Sequence, residues 1–327
     1  RSTVHYVHSN RKGDVMLKYV LKRLGYILVT LWVIVTCTFF MMKNLPGTPF
    51  DAERFSIMTP QQQERVLEMY GLNDSLPMQY VKYIKNMLKG DLGTSFTYVN
   101  QDVSKVITGR LGPSALIGIQ AVLIGLAIGL ILGILAAWKH NSGIDYFTMI
   151  LAVLGVSVPN FVAAALLQYY IGLKWGALPV GFWTGWNCSV LPSIALSFSA
   201  TAMVARFMRT EMLDVLDQDY IVTARAKGLS QMKVLMRHAV RNSILPVVTI
   251  LGPIVVNLMT GSLAVENIFS IPGIGSLFVD CIKANDYPVI MGITIFYAAF
   301  YMLIVLLVDL AYSLIDPRIR LAKGKES

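Results

Sequence analysis

The chain has 327 residues, 55% of them hydrophobic and 14% charged, with a mean hydropathy of +0.59 and a net charge of +9. That composition excludes an ordinary soluble domain. The positive balance needs no nucleic acid, because an excess of lysine and arginine on the inner side of a membrane protein accounts for it.

Residues 1–15 are polar and without pattern, and Met16-Leu17-Lys18-Tyr19 looks like a natural start. The head is expected to be a disordered or extraneous extension. Stretches free of Asp, Glu, Lys and Arg then run over 24–42, 111–138, 146–173, 175–205, 242–265 and 287–308. Each exceeds the ~18 apolar residues that mark a bilayer-spanning helix, so an all-α protein with six transmembrane helices is predicted. In the fourth stretch Trp183-Thr184-Gly185-Trp186-Asn187 reads as membrane interface, and the span is expected to begin near Val190. The first transmembrane helix, placed over 16–42, is too long for the apolar core of a secretory signal, and it has no small-residue cleavage site. Leu45-Pro46-Gly47-Thr48-Pro49 breaks it on the far side.

Placing the amino terminus inside puts Arg1, Arg11, Lys12, Lys18, Lys22 and Arg23 in the cytoplasm. The same choice puts there Lys139, the basic residues from Arg206 to Arg241, and Arg318, Arg320, Lys323 and Lys325. The two short outer connections then carry only Lys174 and Lys283, as the positive-inside bias requires. Both termini are therefore expected inside, with 321–327 as a cytoplasmic tail and 43–110 as an extracytoplasmic helical segment. In that segment Thr59, Pro60 and Gln62 form a capping-box pattern, and Gly71 ends the helix. A second helix has Ser75 as cap, Pro77 early, apolar Met78, Val81, Ile84 and Leu88 at helical spacing, and Gly90 as stop. Two such amphipathic helices would lie on the membrane or against the other outer loops.

Residues 111–320 form the rest of a membrane core. Gly125, Gly129 and Gly133 recur every fourth residue on the second span, a spacing for close helix packing. Ser157-Val158-Pro159-Asn160 interrupts the third span, either shaping the bundle or lining a water-filled path. Pro159, Asn160, Gln168, Asn257 and Thr260 are the candidates for a path or gate. Ionisable groups are expected to be absent at depth, Asp309 lying near the cytoplasmic end of the last span. That argues against a carrier that binds a coupling proton or sodium ion. Cys37, Cys188 and Cys281 read as small hydrophobes, a Cys188–Cys281 disulfide being the other reading. No Cys/His cluster has metal-ligand spacing, and no cofactor is expected.

The cytoplasmic loop, 206–243, carries the most pointed signal. A helix leaves the membrane as far as Leu216, Asp219 is expected to cap a short helix over 220–227, and Gly228 to end it in a left-handed conformation. Ser230 then caps a helix with Lys233, Arg237, His238 and Arg241 toward its carboxyl end, where the dipole favours them. Ala224 and Gly228, four apart, leave one face of the short helix flat, a face that a bulky partner groove would accept. An ordinary solvated loop is the other reading.

The loop, Asp219-Tyr220-Ile221-Val222-Thr223-Ala224-Arg225-Ala226-Lys227-Gly228-Leu229, resembles the "EAA" loop of ATP-binding-cassette importer permeases. Val222-Thr223-Ala224 stands where Glu-Ala-Ala gives that motif its name. From Met16 to Ile319 the chain is similar to the first permease subunit of bacterial oligopeptide and dipeptide importers, the OppB/DppB family. Further matching segments are Leu45-Pro46-Gly47-Thr48-Pro49, Tyr70-Gly71-Leu72-Asn73 with Gln79-Tyr80, and Gly90-Asp91-Leu92-Gly93-Thr94-Ser95. Others are His238-Ala239-Val240-Arg241-Asn242, Leu245-Pro246-Val247-Val248-Thr249 and Ile268-Phe269-Ser270-Ile271-Pro272-Gly273-Ile274-Gly275. The last are Asp286-Tyr287-Pro288-Val289 and Asp316-Pro317-Arg318-Ile319-Arg320.

The resemblance implies the type I importer-permease fold in a bacterial plasma membrane. It also implies a second permease (OppC/DppC-like), two ATPase subunits (OppD and OppF-like) and an extracytoplasmic peptide-binding protein as partners. Asp219, Tyr220, Thr223, Ala224, Arg225, Ala226, Lys227 and Gly228 would then couple the ATPases to a peptide path. A nickel or other small-solute importer shares these motifs, and an ATP-independent channel or secondary carrier is the rival from another class. The chain has no G-x-x-x-x-G-K-[ST] loop, and Gly273-Ile274-Gly275 reads as a turn in an outer connection, so ATP hydrolysis is assigned to separate subunits.

Overall fold

The computed structural model describes residues 2–44, 55, 57–69, 71–98, 101–259 and 262–315. The Leu45-to-Pro49 breaker, Thr260, the Asp316-to-Arg320 segment and the 321–327 tail lie outside them. Among the described residues the elements are helices, joined by turns and one isolated bridge between Thr94 and Asp102. Five are long and apolar enough to cross a membrane: Val20–Lys43, Val103–Trp138, Trp186–Leu216, Gln231–Ile268 and Tyr287–Val308. The third predicted span is instead a broken pair, Gly143–Ser157 and Asn160–Lys174, bent by 100°.

The break has a local cause. Pro159 offers no N–H to the preceding helix and excludes Val158 from the helical region. Val158 (φ −81°, ψ 118°) and Pro159 (ψ 139°) are accordingly extended, and the Pro159 carbonyl then accepts from Val162 N–H at 2.9 Å to start the next helix. What reads in sequence as a kink is a change of direction.

The chain divides into two compact units, Arg1–Ile107 with Asp280–Leu306, and Thr108–Val279 with Leu307–Ser327. In the first, α1 (Ser2–Lys43) is helical back through the head as far as Ser2. The capping box ahead of α2 (Pro60–Met69) is reciprocal: Thr59 N–H donates to Gln62 Oε1 at 2.9 Å, and Gln62 N–H to Thr59 Oγ1 at 3.4 Å. Extended Ser75 precedes α3 (Leu76–Met87). The buried carboxylate of Asp286 accepts from the Ser95 hydroxyl and from the N–H groups of Phe96 (3.2 Å) and Thr97 (3.1 Å). This joins the Gly90-to-Ser95 segment to the start of the last helix.

The second unit is built around α7 (Val190–Leu216), 12 of whose 27 residues are buried. Against it lie α4 (Val103–Trp138), α5 (Gly143–Ser157), α6 (Asn160–Leu167, continued as π-helix Gln168–Lys174) and α10 (Arg241–Met259). The α4 glycines make the approach possible. A Cβ on Gly125 would sit 2.7 Å from Ala200 Cβ, one on Gly129 2.7 Å from Val204 Cβ, and one on Gly133 2.6 Å from the Ala205 carbonyl. Gly155 of α5 meets Ala202 and the Phe198 carbonyl at 3.0 Å in the same way. None of Cys37, Cys188 and Cys281 forms a disulfide.

Gly129→Val should therefore lower the thermal stability of the detergent-solubilised subunit, overpacking of this kind costing about 1–3 kcal/mol. Gly112→Ala on the same helix, where an added Cβ meets nothing within 4 Å, should leave the melting temperature unchanged or raise it. Scanning fluorimetry of both variants checks this.

Candidate functional site

The loop beyond α7 folds into three pieces. Gln218, extended at ψ 147°, is the N-cap of α8 (Asp219–Ala226), and Asp219 is the first helical residue, not the cap expected from sequence. Its carboxylate suits the positive end of the helix from there too. Gly228 has φ +75°, a left-handed conformation that favours glycine, and its N–H closes on the Arg225 carbonyl at 2.9 Å. Ser230, extended at ψ 148°, precedes α9 (Gln231–Lys233). No helix end follows the basic cluster: α9 passes through a π-helical stretch, Val234–Val240, directly into α10. Lys233, Arg237, His238 and Arg241 therefore lie along a continuing helix, and the helix-end dipole does not explain them.

The second departure concerns which way α8 faces. Ile221 is fully buried and Ala224 only 5% exposed, and both belong to the hydrophobic core that contains Met208 and Met212 of α7 and Val234, Leu235 and Ala239. Ala224 thus faces its own subunit, not a partner groove. A small apolar side chain suits the position, where α8 packs on that core. The outward face carries Tyr220, Val222, Thr223, Arg225, Ala226, Lys227 and Leu229, followed by Met232 and Met236. Asn242 Nδ2 donates to Tyr220 Oη at 3.2 Å and to the His238 carbonyl at 2.9 Å, tying α8 to the root of α10. Ser243 Oγ donates to the Glu211 carbonyl of α7 at 3.2 Å.

The path candidates are not gathered into one constellation. Pro159 and Asn160 sit at the 100° break. Gln168 donates through Nε2 to the carbonyls of Val180 at 2.5 Å and Ile268 at 2.7 Å, so its amide braces the π-helix against a loop and α11 (Leu263–Ile268). Asn257 is exposed on α10.

The structure buries two carboxylates within the fold that the sequence reading did not single out. Glu266 on α11 is 3% exposed and Asp145 on α5 2%. Glu266 accepts from Ser114 Oγ at 2.7 Å and Ser276 N–H at 2.9 Å. Ser114 Oγ accepts in turn from Ile274 N–H at 2.8 Å. A Cβ on Gly273 would overlap the Glu266 carboxylate, and one on Gly275 would come within 3.0 Å of it. The Gly273-Ile274-Gly275 motif makes room for a buried acid rather than forming a simple turn. Asp145 takes two bonds from Arg209 of α7, Nε to Oδ1 at 2.6 Å and Nη2 to Oδ2 at 2.8 Å. It also accepts Asn141 N–H at 3.0 Å, with His140 Nδ1 at 3.2 Å. The bidentate geometry is the strong form of such a pair. Each of these carboxylates is satisfied by protein donors and braces the elements around it. The signal for Glu266 was a lone acid in an apolar stretch, with two glycines close behind it.

The model for the binding-protein-dependent transport system inner membrane component matches residues 129–321. The model for the N-terminal part of such membrane components matches residues 16–113. The chain belongs to this family. It is a multi-pass membrane subunit of ABC transporters, a family that works with partner subunits. Relatives span its length. The dipeptide transport system permease protein DppB of Lactococcus lactis subsp. cremoris (strain MG1363) is 46% identical over 94% of this chain and 100% of its own. DppB of Bacillus subtilis (strain 168) is 43% identical over 94% of this chain and 99% of its own. The oligopeptide transport system permease protein OppB of Haemophilus influenzae is 39% identical over 93% of this chain and 100% of its own.

The burial of Ala224 changes what a substitution there does. Ala224→Glu should strand a carboxylate in the subunit's own core and destabilise it by about 3 kcal/mol or more. Val222→Glu, at a position 58% exposed, should leave the melting temperature within about 2 °C of the parent, as surface changes do. Thermal unfolding in detergent separates the two.

Proposed function

We propose that the chain is a permease subunit of an ABC importer for peptides, forming with a second, related permease the path for oligopeptide uptake. The names of its relatives, dipeptide and oligopeptide permease proteins at 38–46% identity over more than nine-tenths of the chain, support the substrate class. The chain itself carries no nucleotide chemistry, and ATP is hydrolysed on two partner subunits below the membrane. A binding protein delivers peptide from outside. Both termini are cytoplasmic, and residues 43–110 are extracytoplasmic.

The observation that carries the coupling role is the two-sidedness of α8. Its inner face, Ile221 and Ala224, is packed into the core around α7. Its outer face leaves Tyr220, Val222 and, just beyond, Leu229 and Met232 exposed at 43%, 58%, 37% and 50%. Apolar groups in a cytoplasmic loop are unfavourable in water and suit a protein groove. Docking there by an ATPase would push on a helix that is one body with α7, so the displacement enters the bundle without loss in a flexible arm. Gly228 ends the helix where any Cβ would be strained, which keeps the docking helix short.

Val222→Glu, combined with Leu229→Glu, should reduce peptide uptake by the assembled transporter at least about tenfold, equivalent to the loss of ~1.4 kcal/mol of docking affinity. The ATPases should co-purify less, and the membrane level of the subunit should be unchanged. Full uptake with normal ATPase recovery would contradict the assignment of this face.

A further inference from the structure

α3 lies beside the end of α1, not beyond it. Thr36 Oγ1 and Tyr80 Oη are 2.7 Å apart. The Tyr80 ring packs on Phe39 and Phe40 with centroids at 5.4 and 5.7 Å, and the Tyr83 ring on Phe39 at 5.9 Å. Thr36 precedes Lys43, the end of the span, by two turns, or about 10 Å of helix rise. The contact thus holds α3 at the depth of the last two turns of a membrane-spanning helix, where headgroups meet the upper acyl chains.

The side of α3 turned away from α1 has a composition that fits this depth. Met78, Val81 and Leu88 are 49%, 57% and 78% exposed. Lys82 and Lys85 alternate with them, and at 3.6 residues per turn these five fall within an arc of about 120°, with Lys89 next in the turn that ends the helix. Lys82 pairs with Asp74 at 2.6 Å, whereas among the described residues neither Lys85 nor Lys89 is in an ion pair. Exposed apolar groups interleaved with ammonium groups on long stems suit a surface that is apolar below and anionic above.

We propose that this face of α3 is a lipid-docking surface: Val81 and Leu88 enter the outer-leaflet acyl region, and Lys85 and Lys89 bind anionic phospholipid headgroups. The leaflet rests on the orientation given under Proposed function; the lipid contact does not. The surface would fix the height of the extracytoplasmic segment against the membrane.

The test uses the assembled transporter with Leu88→Cys and Cys37→Ala, labelled with bimane and reconstituted with chain-brominated phosphatidylglycerol or phosphatidylcholine. The expected result is quenching by both lipids, with a preference for phosphatidylglycerol that Lys85→Gln with Lys89→Gln lowers roughly fivefold or more. A label that brominated lipid does not quench but aqueous iodide does would overturn the proposal. So would a label shielded from both, which would mean that a protein partner covers the face. Labelling of an Asn86→Cys variant, exposed on α3 outside that arc, by a membrane-impermeant maleimide should occur only from outside. Lipid quenching combined with labelling only from the inner side would overturn the orientation and leave the lipid contact standing.

Discussion

The close approach of α4 to α7 is the contact on which the second unit depends. Lipid chains are as apolar as leucine, so helices in a bilayer gain little from hydrophobic burial and must gain from backbone proximity and packing. Gly125, Gly129 and Gly133 provide that proximity, and any side chain there would penetrate Ala200, Val204 or Met208. Gly155 of α5 and the Gly118 contact of α4 with the Leu258 carbonyl on α10 repeat the device on other sides. The result is a helix enclosed along most of its length, with Met208 and Met212 at 0% exposure near its cytoplasmic end.

That enclosure extends to the loop. α8 is set against the same core by Ile221 and Ala224, and Asn242 holds Tyr220 from the root of α10. Arg209 holds α5 to α7 through Asp145, and Ser243 holds α10 to the Glu211 carbonyl. A short helix that would be a loose arm on sequence alone is thereby part of the body it would have to move.

The legible parts of the sequence were those governed by local chemistry. A glycine every fourth residue, the Thr59-to-Gln62 box and the left-handed Gly228 each depend on a few neighbouring residues, and each is found in the geometry. The direction taken after Pro159 was not legible, because proline states that a helix must be interrupted but not by what angle. The facing of Ala224 was equally hidden: alanine is small enough for either face, and only the packing of α8 on the core decides. Glu266 meets Ser114 across 152 residues of sequence, a pairing that no local pattern reveals. The basic residues from Lys233 to Arg241 suggested a helix end only because the π-helical stretch that carries the helix onward has no sequence signature as plain as a cap.

The central claim is that α8 and α7 move as one rigid body when the ATPases act. Spin labels at Met203, half-exposed on α7, and at Ala226, exposed at the far end of α8, report it directly by pulsed electron resonance in the assembled transporter. The account predicts the same distance distribution in the nucleotide-free and ATP-trapped states. A shift or splitting of that distribution on ATP binding would show that α8 hinges independently and would contradict it.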